Sequence, residues 1–229
     1  MNHPIGANTW IWTSPLTDER VAELAPRLRA WGFSIVELPI ENLGDWDPAR
    51  TRDLLQTLGL GATTCLVMPP GRDLVGDDRQ QTRDTQDYLK ACIDVAAAIG
   101  ARVVAGPAYA PVGKTWLMSS DERRTTITRL VESLRPIVAH AEKKGLAIGI
   151  EPLNRYETSL INTALDALDA ADYRGPLCIE SFSAGNMSLA RAASIWRPLE
   201  RSQDAIATDG LAFLTGLLAR RASQRSAPP

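Results

Sequence analysis

The sequence predicts an α/β fold in which a parallel sheet, covered by helices, curves into an incomplete (β/α) barrel of about six strands. Short apolar segments alternate with helical segments along the whole chain, a pattern that produces a parallel sheet. These segments lack strict apolar and polar alternation, as expected for strands that are covered on both faces. The strand candidates are residues 5–13, 34–39, 62–68, 102–106, 146–151 and 177–182.

Helix boundaries between these strands are marked by capping residues. Thr17 precedes two acidic residues and an apolar helical stripe, and Gly32 ends that helix. Asp47 followed by Pro48 is a cap with proline at the first helical position, and this second helix runs to Gly59. Two longer helices are predicted over residues 78–99 and 120–144.

The number of strands limits the architecture. A complete barrel has eight strands and takes about 250 residues, whereas this chain has 229 residues. Between Glu157 and Gly175 there is room for little more than one helix, capped by Asn162. Six strands also fit an open doubly wound sheet, but no glycine-rich phosphate turn follows any strand. A six-stranded barrel could close by pairing its fifth strand with its last strand. Otherwise the sheet stays open and has two unpaired edges.

Composition narrows the class of protein. The formal net charge of −2 gives no electrostatic case for binding nucleic acid or an anionic membrane. The N-terminus lacks a signal-peptide pattern and no apolar run reaches membrane-spanning length, so a cytoplasmic protein is expected. We expect one domain over residues 1–219 and a frayed polar tail over 220–229.

The cysteines and histidines point away from a structural zinc site or a disulfide framework. Cys65, Cys92 and Cys178 are odd in number and widely spaced, so we expect them to pack in the core. The two histidines are His3 and His140, and His140 lies mid-helix near two lysines, where a metal ligand is not expected.

Two glutamates directly follow apolar strands. Glu151 comes after the fifth strand candidate, and Glu180 lies at the end of the sixth. Loops after the strands build the active face of a (β/α) barrel. The two carboxylates could act as an acid/base pair and as oxygen ligands for one divalent metal ion. The simpler alternative is that they only cap loops.

Longer motifs around these glutamates resemble the ketose 3-epimerases, which include the D-tagatose and D-psicose (D-allulose) 3-epimerases of the xylose isomerase-like TIM barrels. The resemblance rests on EPLNRYET at 151–158 with SLINT at 159–163, and on YRGPLCIESF at 173–182. Further support comes from GPAY at 106–109 and AASIWRPL at 192–199. It covers nearly the whole chain.

The resemblance implies metal-dependent C3 epimerisation of a free ketose through a cis-enediolate, with manganese, cobalt or magnesium bound. Glu151 and Glu180 match the catalytic, metal-binding glutamates of these isomerases. The positions that match substrate contacts are Glu157, Cys65, Asn8, Trp12 and Ala108. The resemblance also implies that the chain forms a homo-oligomer.

The match is interrupted in one place. An aspartate and a histidine that complete the metal site of such enzymes come from the sixth and seventh strands, and neither has a counterpart here. Residues 159–163 resemble the start of the fifth helix of a ketose 3-epimerase, and residues 169–175 resemble the end of its seventh helix. About two βα units of such an enzyme therefore have no counterpart in this chain. The alternative is therefore an inactive relative that acts at most as a folded or partner-binding module. A different activity of the same fold, such as hydroxypyruvate isomerisation, is a third hypothesis.

Overall fold

The computed structural model describes residues 3–111, 113–153, 158–160, 177–181 and 200–225, with side chains in the last segment to residue 219. A single parallel sheet organises these residues. The strands are β1 (Ile5–Asn8), β2 (Ile35–Ile40), β3 (Gly61–Leu66), β4 (Val103–Gly106), β5 (Ala147–Ile150) and β6 (Leu177–Ile179). The helices are α1 (Asp18–Trp31), α2 (Pro48–Leu58), α3 (Arg79–Ala98), α4 (Ser120–Lys144) and α5 (Gln203–Arg225).

The strand order shows that the sheet is an incomplete barrel. The order is β5-β4-β3-β2-β1-β6, so successive strands are added in one direction and the last returns beside the first. A doubly wound sheet reverses direction near its middle, and this sheet does not. Within the described residues, no pairing joins β5 to β6. The prediction of a barrel with about six strands is confirmed, and the closed six-stranded alternative is excluded for this part of the chain.

The six predicted strands begin within one residue of their observed starts. The first prediction was too long, because β1 ends at Asn8 and a 3-10 helix follows over Thr9–Ile11. The Asn8 side chain causes this break: its Oδ1 accepts a hydrogen bond of 2.8 Å from the backbone N–H of Trp10. An asparagine that caps a turn in this way competes with continued strand pairing.

The predicted helix ends are confirmed by capping contacts. The Asp47 carboxylate accepts from the backbone N–H groups of the first turn of α2, and the Thr17 hydroxyl accepts from the backbone of α1. Gly32 ends α1 with a φ of 100°, a left-handed conformation that favours glycine. The start of α4 is fixed by a reciprocal capping box between Ser119 and Glu122.

The hydrophobic core lies between the sheet and the helices. All six residues of β2 are buried, so β2 is a central strand. The largest fully buried side chains include Tyr109, Phe33, Ile11, Leu16, Leu24, Leu28, Leu38, Ile40, Met68, Leu74, Leu89 and Ile93. Within the part of the chain that the structure describes, none of the helices has the length and hydropathy needed to cross a membrane.

Helix α5 follows β6 and is attached to α1 by one carboxylate. The Asp204 oxygens accept from Arg27 Nη2 at 2.6 and 2.7 Å, and Asp204 Oδ1 also accepts from Trp12 Nε1 at 2.7 Å. The Trp12 ring stacks on Trp31, with 6.0 Å between ring centroids. The helix continues to Arg225, so residues 220–225 of the predicted frayed tail are helical, and residues 226–229 lie outside the described residues.

Replacing Asp204 by alanine should destabilise the fold by about 1–3 kcal/mol, because a charged acceptor shared by two buried or half-buried donors is lost. A matched control is Asp209→Ala in the same helix. Asp209 pairs with Arg201 on the surface, where both side chains are more than half exposed, and such pairs contribute about 0–1 kcal/mol. Urea unfolding measures both variants, and equal midpoints would show that Asp204 does not anchor α5.

Candidate functional site

Glu151 directly follows β5 and is anchored through its backbone. Its N–H donates to the carbonyl of Gly106 at 3.0 Å, which continues the β4–β5 pairing by one residue. Its carbonyl accepts a 3.0 Å hydrogen bond from the hydroxyl of Tyr109, whose side chain is fully buried. The backbone that carries this half-buried carboxylate is therefore held from the loop after β4.

Glu180 directly follows β6, at the opposite edge of the sheet from Glu151. It is exposed, and its strand pairs with β1. Both carboxylates nevertheless raise the pKa of the same thiol, that of Cys65 on β3. Glu151 and Glu180 each follow the carboxyl end of a parallel strand, and in a (β/α) barrel these ends lie on one face. That the two carboxylates form one site stays a prediction.

Cys65 lies near the carboxyl end of β3. It is buried, and its Sγ accepts a hydrogen bond of 3.2 Å from Asn8 Nδ2. Burial, together with the negative charges of Glu37 and Glu180, raises the pKa of the Cys65 thiol well above its ordinary value. The thiol is therefore neutral at physiological pH and does not compete with the glutamates as a base.

The sequence did not single out Glu37, which lies in the middle of β2. It is only 8 % exposed, its Oε2 accepts from Asn8 Nδ2 at 3.0 Å, and its Oε1 accepts from Thr63 Oγ1 at 3.1 Å. Burial raises the pKa of Glu37, and hydrogen bonds from Asn8, Thr63 and Cys178 partly offset that effect. The signal in the sequence is a lone glutamate within the otherwise uncharged strand Ile35–Ile40.

Cys178 extends the same polar contacts to β6. Its Sγ lies 3.5 Å from Thr63 Oγ1, and burial, followed by the charge of Glu37, raises the pKa of its thiol to about 12. Gly6 on β1 makes room for this sulfur, because a Cβ at that position would come within 2.9 Å of it. We call Asn8, Glu37, Thr63, Cys65 and Cys178 the interior polar cluster.

The other residues predicted to contact the substrate lie in different parts of the structure. Both amide N–H groups of Asn8 donate within the interior polar cluster. The indole N–H of Trp12 donates to Asp204, on the side of the helices. Ala108 is buried and its N–H donates to the carbonyl of Gly106. Glu157 lies outside the described residues, and roles in substrate binding for all four stay predictions.

A complete metal site does not form among the residues that the structure describes. No group of three or more histidine, cysteine, aspartate or glutamate side chains there is arranged to hold an ion. Glu151 and Glu180 could supply two carboxylate oxygens, fewer than the six or so ligands that a hard divalent ion takes. His140 is engaged elsewhere, with its Nε2 2.9 Å from Asp94 Oδ1 between α3 and α4.

The raised pKa of Glu37 predicts a pH-dependent contribution to stability. A carboxyl whose folded-state pKa lies above its ordinary value of 4.5 favours folding when it is protonated. Its contribution is complete below the unfolded-state pKa and is lost as the pH rises through the folded-state pKa. The stability of the wild type relative to Glu37→Gln should therefore fall as the pH rises from about 4.5 towards neutrality. Urea unfolding of both proteins from pH 4 to 8 measures this difference, and a rise with pH would contradict it.

Comparison with protein families supports the resemblance seen in the motifs. The model of the xylose isomerase-like TIM barrel matches residues 25–173, which is more than half of the chain. This segment includes β2 to β5 and Glu151.

Several curated relatives are ketose epimerases. The chain is 24% identical to a probable ketose 3-epimerase of Synechocystis sp., an alignment that covers 91% of this chain and 94% of the relative. That alignment spans 276 positions, more than the 229 residues present, so the relative has residues that this chain lacks. An L-ribulose 3-epimerase of Methylomonas sp. is 26% identical over 73% of this chain. The matched region is only 57% of that relative's length, so the chain spans little more than half of it.

Solved structures of the same fold superpose closely. One, of an L-ribulose 3-epimerase, has a TM-score of 0.84 with 20% identity, and the match covers all of both chains. Another, of a D-allulose 3-epimerase from Methylomonas sp. in complex with D-allulose, has a TM-score of 0.81 with 21% identity. It covers 93% of this chain and 96% of the other. At this level of identity the likeness establishes the fold.

Proposed function

Because the chain belongs to the xylose isomerase-like TIM barrel family, we propose that it is a sugar epimerase or isomerase that acts on a free ketose. The reaction we propose is inversion at C3 through a cis-enediolate. Curated relatives that include ketose and L-ribulose 3-epimerases support this choice.

The observation that carries the proposal is the position of the two glutamates. Glu151 and Glu180 directly follow β5 and β6 at the carboxyl ends of parallel strands, which form one face of a (β/α) barrel. Inversion at carbon needs one base on each face of the intermediate, and two carboxylates on separate strands can provide this. A single carboxylate, or two carboxylates on one strand, would reach only one face of the intermediate.

The proton transfers involve the two carboxylates in turn. One glutamate takes the C3 proton, so the C–H bond breaks and its electron pair forms the enediolate. The other, protonated, glutamate then donates its proton to the opposite face of C3. Cys65 stays protonated because the pKa of its thiol is raised, so it does not intercept the proton.

Metal dependence is part of the proposal. A divalent ion such as manganese, cobalt or magnesium would act as a Lewis acid that stabilises the charge developing on the substrate oxygen. Glu151 and Glu180 are the residues we propose as its protein ligands, with water or substrate oxygens completing the coordination.

The test is exchange of the C3 proton in D₂O, followed by proton NMR on a panel of free ketoses that includes L-ribulose and D-allulose. We expect the H3 signal to disappear, and the C3 epimer to form, after manganese is added to chelator-stripped protein. Undiminished exchange after exhaustive chelation would reject metal dependence alone. No exchange on any ketose, by protein that is folded, would favour the alternative of a non-catalytic relative.

A further inference from the structure

Strand β6 leads directly into Glu180 and, in the described part of the chain, is paired with the sheet on one side only. It has three residues and, among the described strands, it pairs only with β1. Central strands such as β2 have a neighbour on each side, whereas β6 has one. Backbone pairing alone therefore restricts the orientation of β6, and the position of Glu180 after it, less than it restricts the orientation of an inner strand.

A side chain of β6 makes a second attachment. Cys178 lies opposite Gly6 in the β1–β6 register, and its sulfur occupies the space that a side chain on Gly6 would fill. From there the sulfur lies 3.5 Å from the Thr63 hydroxyl on β3, and that hydroxyl donates to the Glu37 carboxylate on β2 at 3.1 Å. These contacts pass β1 and link β6 to β3 and, through Thr63, to β2.

We propose that Glu37 is a positioning residue that anchors β6 through Thr63 and Cys178 and thereby places Glu180 opposite Glu151. Glu37 is suited to this role because its two oxygens accept from two other strands, Asn8 on β1 and Thr63 on β3, and the Thr63 hydroxyl also contacts Cys178 on β6. A buried carboxylate is costly unless such donors surround it, so they are held firmly in return.

The same carboxylate also acts on Cys65. Asn8 Nδ2 lies 3.0 Å from Glu37 Oε2 and 3.2 Å from Cys65 Sγ, so the acceptor on Glu37 fixes the amide that donates to the thiol. Cys178 lies within β6, and Glu180 directly follows that strand two residues later. Glu37 is therefore linked to the strand that leads into Glu180 without being one of the proposed proton-transfer groups.

This inference concerns positioning in the proposed epimerisation and therefore depends on that function, but the anchoring can be measured without any turnover. Hydrogen–deuterium exchange of peptides that contain β6 reports the strand's attachment directly, because the N–H of Leu177 donates to the carbonyl of Pro4. Peptides that contain β4 serve as the internal control for global unfolding.

Three variants separate anchoring from loss of charge. Glu37→Gln preserves the shape of the side chain and removes the charged acceptor. Cys178→Ala removes the contact with β6, while Glu37 keeps its hydrogen bonds from Asn8 and Thr63. The matched control is Glu41→Gln, which removes a charge just after β2. Glu41 accepts hydrogen bonds from Trp10 at 2.8 Å and Ser14 at 2.7 Å, and neither lies on β6.

We expect exchange in β6 to rise by about tenfold or more in Glu37→Gln and by severalfold in Cys178→Ala, while β4 and the Glu41→Gln control change little. If Glu37→Gln does not fold, Cys178→Ala alone decides the question. Unchanged β6 exchange in the folded variants would overturn the anchoring.

The kinetic measurement tests the consequence for catalysis. In active protein, Glu37→Gln should lower kcat by about tenfold while KM stays within about threefold, because misplacing one base affects the chemical step more than ketose binding. Glu37→Asp, which restores the charge, should recover part of that loss. An unchanged kcat in Glu37→Gln would overturn the positioning role. If the wild type turns over no ketose, the proposed function fails, and the exchange measurement still decides whether Glu37 anchors β6.

Discussion

Glu151→Gln and Glu180→Gln should each lower C3 epimerisation by about 10²–10⁴-fold, the range that one general acid or base contributes. Each substitution removes the group that would exchange a proton with one face of the ketose. Because Glu151 and Glu180 follow different strands, neither carboxylate can readily replace the other. The measurement is the initial rate of epimer formation with saturating manganese.

Isotope incorporation makes this prediction more specific. With two bases, each variant should still exchange the C3 proton of the epimer that its remaining glutamate can reach, although inversion is lost. A matched control is Glu132→Gln on the exposed face of α4, which should leave the rate unchanged. Retention of wild-type inversion in either site variant would show that the two glutamates are not the acid/base pair.

Gly106→Ala should destabilise the protein by about 2–6 kcal/mol, the combined range for backbone strain and overpacking. Gly106 ends β4 with a φ of +141°, a conformation that side-chain-bearing residues rarely adopt. A Cβ there would come within 2.6 Å of the Leu66 carbonyl oxygen, so backbone would have to move. Since the Gly106 carbonyl also accepts from the N–H of Glu151, the candidate site should shift as well.

Gly149→Ala is the matched control for this substitution. Gly149 lies on the neighbouring strand β5, and a Cβ there would meet Ala105 Cβ at 3.5 Å, an ordinary van der Waals contact. Its φ lies outside the left-handed region, so we expect a change within about 1 kcal/mol. Urea unfolding measures the free energy of unfolding of both variants. Equal values would show that the backbone at Gly106 accommodates a side chain without strain.

Much of the fold follows from local signals in the sequence. The caps at Thr17 and Asp47 and the glycine at residue 32 fix helix ends by contacts within a few residues, so the sequence is sufficient to predict them. The same holds for the strand starts and for the positions of Glu151 and Glu180 directly after β5 and β6, while their roles in the site stay predictions. The shortage of strands was visible as a short connection between the fifth and sixth strands.

Features that depend on distant contacts were not predictable in this way. Glu37 makes its hydrogen bonds to Asn8 and Thr63, which are 29 and 26 residues away, so no motif marks it. Helix α5 depends on packing and on Asp204, whose partner Arg27 is 177 residues earlier in the chain. Whether the barrel closes is decided by the curvature of the whole sheet, which no local segment encodes.

The open sheet makes the distance between the two glutamates a property of the four strands between them. Five neighbouring steps separate β5 from β6, and at about 4.8 Å each they would span roughly 24 Å in a flat sheet. Coiling of the sheet shortens that span. A closed barrel fixes such a distance by its geometry, whereas between the described strands it varies with the twist of each inner strand. In the proposed epimerisation, substitutions in β2 or β3 should therefore change the gap between the two glutamates, and with it the choice of ketose, without altering any residue that touches the substrate.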